Sequence, residues 1–534
     1  MVGNKSALVS NKMLLPSAAI KNAQFTLTIV ILMVLVGIVS YFNMPRSEDP
    51  QFDIPITLVE VIYPGASPHD IETLVVNPLE EEFSEIEGIK QIESHIKSDG
   101  TRVHVTFLYG SDPQTAYNEI KQAVASVKPN LPSGVQDVLV IKATPTSVAV
   151  MQLALWSEPN DYKKMEFYAK QLEKRLEAIS SVKKADIWGY PQQVVAIDLN
   201  LDLLQHYGLS ATGVSQSLQQ KAINITPGFV DASSRRFNVK ASGNFQELEQ
   251  LSETIIFSND TLVLKLKDVA IVSFSSAKPS YLAYYNNKPV IYISVEQRAN
   301  TNIFDLTTLV NNEVSLFKEQ LPKEMKLAVL FAQADSVETR VNGFFDNLWQ
   351  GLVLVGLLSL LFLGVREALV VISVIPLSFL IAIGWLDFAG FGLQQMSIVG
   401  LIIALGLLVD NAIVVTESIH REKTKFANMK ESAAVGTSKV GWAITSGTIT
   451  TMFAFLPMLM LSSDTGDFVR SMPVTVVLVL LASLLLALTF TPLLASKLFK
   501  PKEGRIKSLQ HFVNAFAVNS YSRFLKSVMK RKLL

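Results

Sequence analysis

Apolar residues gather into six long blocks along this chain. Residues 25–42, 344–364, 368–388, 396–415, 440–461 and 473–495 each reach or approach the roughly 20 apolar positions that a helix needs to cross a bilayer. Each block predicts one spanning helix. The first is not a cleaved leader: its apolar core is too long, and the FNMPRSEDP that follows offers no small-residue cleavage site.

Between the first and second blocks the period changes. Alternation at 56–61 and at Val103, Val105 and Phe107 predicts half-buried strands. Ser67, Pro68 and Asp70 supply a cap, a first-turn proline and a following acid, which start a helix. Asp112 and Pro113 repeat that start, with Tyr117, Ile120, Val124 and Val127 as one apolar stripe behind them. A second unit begins at 148–156, and its helix carries Met165, Tyr168, Leu172, Leu176 and Ile179. A third strand–helix–strand run covers 290–295, 303–321 and 325–331. Several small β-α-β units are therefore expected, each burying a helix on a sheet. Residues 185–272 are richer in polar turns (GFVDASSRR, ASGNFQ, FSNDT) and are expected to form an inserted subdomain.

Lysine and arginine orient the spans. Lys5, Lys12 and Lys21 precede the first block, and Arg366 separates the second from the third. Arg421, Lys423, Lys425, Lys430 and Lys439 lie between the fourth and fifth, and Lys497, Lys500, Lys502, Arg505 and Lys507 follow the sixth. These alternate loops share one side, which is therefore the cytoplasmic one. The opposite short loops are poor in positive charge: FAGFGLQQ has none, and SSDTGDFVRSM has only Arg470. The expected layout is a cytoplasmic tail at 1–24, a first span at 25–42, an outside region at 43–343, five further spans within 344–495, and a cytoplasmic-face segment at 496–534. Within the last, 508–530 reads as an amphipathic helix on the inner membrane surface, with Phe512, Phe516, Tyr521 and Phe524 set against lysine and arginine. A soluble coil is the alternative. The fold class is a polytopic α-helical membrane protein with a large α+β extracytoplasmic domain.

Composition agrees and excludes other classes. Of the 534 residues 49% are hydrophobic, and the mean hydropathy is +0.32, too apolar for an ordinary soluble enzyme. Lysine plus arginine (47) balance aspartate plus glutamate (47), so no global field attracts nucleic acid. Cysteine is absent, which removes disulfides, thiolate metal sites and a cysteine nucleophile. The six histidines show no metal-ligand spacing; His95 and His104 have no paired ligand in sequence. No phosphate-cradling glycine loop appears, so ATP is not the expected driver, and no triad-like set suggests an enzyme.

One residue departs from its surroundings. Asp410 lies inside the fourth block, MSIVGLIIALGLLVDNAIVV. An aspartate at bilayer depth costs about 2.5–3.5 kcal/mol even on a lenient scale. Counting residues places it within the hydrocarbon, cytoplasmic of the centre. Gly406, Asp410, Ile413, Val414 and Glu417 fall on one stripe, and Gly406 leaves room for a facing helix. Lipid favours the neutral acid and a nearby ammonium favours the carboxylate, so a helix motion that brings a cation close or removes it would bind and release a proton. The alternative is a structural polar residue. Asn411 reads equally as a helix-packing amide or a relay member, and Glu417 as a solvated helix end. Thr445, Ser446, Thr448, Thr450 and Thr451 either support a water wire, Thr448 and Thr451 foremost, or bond back to their own helix.

The arrangement of one span, a large outside region and five spans with an acid in the fourth resembles the N-terminal half of resistance–nodulation–division exporters of the acriflavine-resistance, multidrug type. The matching pieces are PRSEDPQFDIP (45–55), YPGAS (63–67), WGYPQQVVAIDLNLDLLQHYGLSATGV (188–214), GLLVDNAIVVTESIHR (406–421) and FTPLLASKLFKP (490–501). The fourth-span motif is the most specific. The resemblance implies proton-driven efflux of drugs or other amphiphiles from the bacterial inner membrane, with the proton-motive force in place of a cofactor. It implies two porter subdomains and a docking subdomain outside. It also implies a homotrimer of the complete pump, a second half, a periplasmic adaptor and an outer-membrane channel as partners, alongside lipid. Trp188 matches a pocket aromatic of such exporters, with a packed core tryptophan as the alternative; around 147–151 the family's further aromatic is missing. Two departures stand out. Multidrug members carry two adjacent acids where this chain has Asp410 and Asn411. They are also about twice as long, with the cationic partners of the aspartate in the other half. A non-transporting product of a disrupted or split reading frame is therefore the second expectation. A protein-translocation accessory or sterol-sensing-type module is a distant third. Drugs, dyes, detergents and lipids all remain open as cargo, heavy metals less so.

Overall fold

The computed structural model describes residues 13–499 and 509–530, apart from 51, 53, 145–147, 192, 222–224, 233–234, 242–244, 246, 259–261, 278–280, 424 and 427; for 225–232, 235–241, 509–517, 519 and 530 it describes the backbone alone. Lys5, Lys12, Lys500, Lys502, Arg505 and Lys507, much of the polar turns of the insertion, and the side chains of Phe512 and Phe516 thus lie outside the described residues.

Among the described residues six helices are long and apolar enough to cross a membrane: Ala23–Asn43, Gln333–Phe362, Val365–Phe388, Gln395–Glu422, Met429–Leu459 and Asp464–Leu498. Each holds one of the apolar blocks. The last is three helical pieces in succession, Asp464–Val469, Ser471–Leu488 and Phe490–Leu498. Small residues let the helices approach closely, as packing in lipid requires. A Cβ on Gly37 of the first would sit 1.9 Å from the Leu380 carbonyl oxygen of the third. A Cβ on Gly400 of the fourth would sit 2.6 Å from the Met472 carbonyl oxygen of the sixth. Gly436 of the fifth faces the Ile419 backbone in the same way, at 2.8 Å. The N-terminal stretch is more than a tail. Leu14–Lys21 is a short helix that buries Pro16, Ala19 and Ile20, and Ile20 shares a cluster with Met429, Leu488 and Phe499.

Among the described residues, the region between the first two of these helices holds two four-stranded antiparallel sheets. In the first, the strands lie in the order Ile89–Lys97, Gly100–Phe107, Ile56–Ile62, Asp137–Lys142. Its helices begin where the caps predict: Ser67 accepts from the Asp70 amide at 3.2 Å, and Asp112 from the Thr115 amide at 2.7 Å. Pro113–Val127 then buries Ile120, Val124 and Val127 against Val59, Val103 and Val105.

The second sheet runs Met325–Ala332, Ala149–Ser157, Ile291–Gln297, Val182–Trp188. This corrects the sequence reading of separate units at 148 and 290. Ile291–Gln297 pairs with both Ala149–Ser157 and Val182–Trp188, so the two runs are halves of one sheet. Pairing over more than 100 residues leaves no local signal. Both sheets have the same strand order, second–third–first–fourth. The insertion shifts as well: Val182–Trp188 belongs to the sheet, and Ala270–Ser276 pairs with Gln193–Leu199. The inserted part therefore lies within 189–290, not 185–272.

A carboxylate on the outer face of the fourth apolar helix

Gln395–Glu422 is one unbroken helix of 28 residues. Asp410 lies fifteen residues from its start and twelve from its end, about 22 and 18 Å at 1.5 Å per residue. The two neighbours Asp410 and Asn411 point in different directions. Asn411 is buried at 7% exposure between three helices. Its Nδ2 donates to Ser483 Oγ at 3.3 Å, and its Oδ1 accepts from Thr448 Oγ1 at 3.0 Å. Ser483 in turn donates to the Leu408 carbonyl at 2.9 Å. This closed set fixes the rotation of the fourth helix against the fifth and sixth.

That rotation turns Asp410 outward. It is exposed, along with Gly406, Ile402, Ile403 and Val414, and its carboxylate has no hydrogen bond or ion pair among the described residues. A Cβ at Gly406 would meet nothing within 4 Å. The Gly406, Asp410 and Val414 part of the predicted stripe is exposed, whereas Ile413 and Glu417 turn toward the second helix. At its far end Glu417 pairs with Arg421. Beside it, a cavity of about 480 Å³ is lined by Leu358, Phe362, Ile413, Glu417 and His420. Glu367, at the start of the third helix, accepts from Lys423 at 2.9 Å and contacts His420 at 2.7 Å.

The remaining sequence candidates divide. Thr448 is the hydroxyl that reaches across to Asn411. Thr451, Thr445 and Thr450 bond back to the Gly447, Gly441 and Ser446 carbonyls at 3.0, 2.8 and 2.9 Å. Trp188 is not a core residue. It ends the edge strand of the second sheet at 52% exposure, directly across from Tyr292. On the Tyr292 side of the sheet Trp156 and Tyr285 have rings 5.6 Å apart, and both pack with Tyr292 around Ala154, Ala283 and Val290. This aromatic face is away from the helices, which cover Leu153, Leu155 and Ile293. Sequence reasoning missed the companions of Trp188 because Tyr285 and Tyr292 lie about a hundred residues away. The alternation Tyr292, Ser294, Glu296 against buried Ile291, Ile293, Val295 was the available signal.

The sequence profile of the AcrB/AcrD/AcrF family matches residues 15–534, which is nearly the whole chain. The chain belongs to this resistance–nodulation–division family. Among its relatives in the family, Multidrug resistance protein MdtC of Enterobacter sp. (strain 638) is 26% identical over 478 residues, 89% of this chain and 47% of that protein. The chain spans about half the length of the curated relative it matches.

Proposed function

We propose that this chain is the N-terminal half of a proton-driven exporter of drugs or other amphiphiles in the bacterial inner membrane. In this reading the two sheets and the insertion lie in the periplasm as porter and docking subdomains. Asp410 is the proton-carrying group. The observation that supports this best is an unpartnered carboxylate midway along an apolar helix, on a face that is exposed among the described residues. Such a face suits a second half that brings a cation to Asp410 and withdraws it. Coupling then follows from charge: near a cation the carboxylate is stable, and away from it the acid takes up a proton. Moving one charge through the membrane field yields about 2.3 kcal/mol per 100 mV.

Asn411 acts as a positioning residue in this scheme, since its amide is consumed by Ser483 and Thr448. The aromatic face of Trp188, Tyr292, Trp156 and Tyr285 supports a cargo surface for flat apolar compounds. A homotrimer, a periplasmic adaptor and an outer-membrane channel are the partners this reading carries with it. The decisive measurement is drug efflux by the complete assembly with Asp410→Asn. Efflux is expected to fall to background at unchanged membrane abundance. Efflux at the unsubstituted level would remove Asp410 from the proton path.

A further inference from the structure

The outer face of the first sheet carries a pair of side chains that the transport reading does not use. Ile89–Lys97 and Gly100–Phe107 form a hairpin in which His95 lies opposite Arg102, and His104 opposite Glu93. Val103, Val105 and Phe107 point under the helices, so His104, between them in the alternation, projects from the other side. His95 is its diagonal neighbour there. The two rings are 5.2 Å apart, centre to centre, at 76°. Neither imidazole has a hydrogen-bond or ion-pair partner among the described residues. Both line an open depression of about 430 Å³ with Lys97, Arg102 and Glu60.

The separation of the rings has a chemical meaning. Imidazole nitrogen binds Zn²⁺ at about 2.0–2.1 Å, and the ring centre lies about 1.1 Å further on, so two rings on a tetrahedral ion have centres about 5.2 Å apart. The observed spacing already matches this. We propose that His95 and His104 form a two-imidazole site for a divalent ion of the zinc and copper group. Imidazole is the side chain that suits these ions.

The local charges permit it. Arg102 is neutralised by Glu60 at 3.0 Å, and Lys97 is exposed at the strand end. Glu93, across from His104, accepts from Gln91 at 2.6 Å. Among the described residues no group of three or more candidate ligands comes together. The protein therefore supplies two nitrogens and leaves the other positions to water or a small anion, as in sites that keep an open position. Nine residues of sequence separation gave no recognised ligand spacing; the hairpin turn at Ser98 and Asp99, the latter at φ 72°, brings the rings together.

The test uses the full chain purified in detergent. Cu²⁺ is titrated in and followed by electron paramagnetic resonance. The expected spectrum shows coupling to two nitrogens and is lost when excess Zn²⁺ is added. His95→Ala and His104→Ala should each leave coupling to at most one nitrogen and weaken binding at least tenfold, with circular dichroism unchanged. The double variant His69→Ala/His206→Ala should behave as the unsubstituted chain. A two-nitrogen signal that survives His95→Ala/His104→Ala, or only the solvated-copper signal from the unsubstituted chain, overturns the proposal.

Discussion

Asp410 and Asn411 are sequence neighbours about 100° apart around one helix, the first exposed and the second buried, so the same substitution is expected to act in opposite directions. Leucine at 410 replaces an unpartnered carboxylate on an exposed apolar face. At a helix centre aspartate is disfavoured by about 2.5–3.5 kcal/mol and leucine favoured by about 0.3–0.6 kcal/mol. The upper limit of the gain is therefore about 4 kcal/mol. Local water and protonation of the acid recover part of that, so a gain of about 1–3 kcal/mol is expected for this chain by itself. Leucine at 411 has the reverse effect. It removes the bonds to Ser483 and Thr448, worth on average about 0.6 kcal/mol each in a membrane protein. It also forces a branched side chain into a site with 7% exposure, where overpacking costs about 1–3 kcal/mol. A net loss of about 2–4 kcal/mol is expected. Unfolding of the two variants in lipid bicelles, by denaturing detergent with a spectroscopic readout, compares them directly. A destabilisation of more than about 1 kcal/mol by Asp410→Leu would mean that the carboxylate has a partner within this chain. An outward-facing, unpartnered Asp410 would then be refuted.

Two further outcomes follow from contacts elsewhere. Gly37→Val places its Cβ against the Leu380 carbonyl, 1.9 Å away in the present backbone; the first helix must leave the third, and a loss of about 2–3 kcal/mol is expected, measurable by the same unfolding assay, whereas a neutral result would refute the close crossing. In the insertion, Lys265 and Lys267 hold the Glu253 carboxyl down at about 2, against an ordinary 4.5; its depressed value means that the stabilisation is full above about 4.5 and is lost as pH falls through about 2. Carboxyl ¹³C shifts of labelled glutamate should show the Glu253 group titrating well below an ordinary glutamate, and Lys267→Ala should move that signal back up; an ordinary titration of Glu253 in the unsubstituted chain would dismiss the ion-pair geometry.

What the sequence disclosed, and what it did not, follows from the range of each interaction. The spanning helices rest on composition within about twenty residues, so their blocks are legible. The caps at Ser67 and Asp112 act over three residues and are equally plain. The second helix begins at Gln333, eleven residues before its apolar block, because the strand Met325–Ala332 passes into it without a turn; nothing in QADSVETRVNG announces that. The unity of the second sheet was hidden because Ile291–Gln297 finds its partners across the insertion. At the site, periodicity gave the stripe through Gly406, Asp410 and Glu417. It could not give the direction the stripe faces, which Asn411 fixes through hydroxyls 37 and 72 residues away in sequence. Trp188 was readable as a large aromatic, but its exposure depends on lying at a sheet edge.

The two sheet units share a strand order, yet they are joined to the helical bundle in different ways. The core of the first unit is a separate cluster around Val59, Leu79, Phe83 and Ile120. Its link to the bundle is peripheral: Tyr109 donates to Asp467 at 3.0 Å, and Phe52 meets Phe468 edge-on. The core of the second unit does not end at its sheet. Leu153, Leu172 and Phe317 belong to one continuous cluster with Val341, Phe379 and Leu401 of the apolar helices. Polar contacts reinforce that junction. Arg46 stacks on Tyr41 and Phe304, the Leu393 amide donates to the Pro45 carbonyl at 2.9 Å, and Glu48 pairs with Arg340. Packed cores transmit displacement because they have little free volume, whereas one surface hydrogen bond and one edge-on ring pair yield more easily. In the proposed scheme, a rearrangement of the fourth helix around Asp410 would therefore reach the second unit, and its aromatic face, by a stiff route. The first unit is reached through the peripheral contacts of Tyr109 and Phe52.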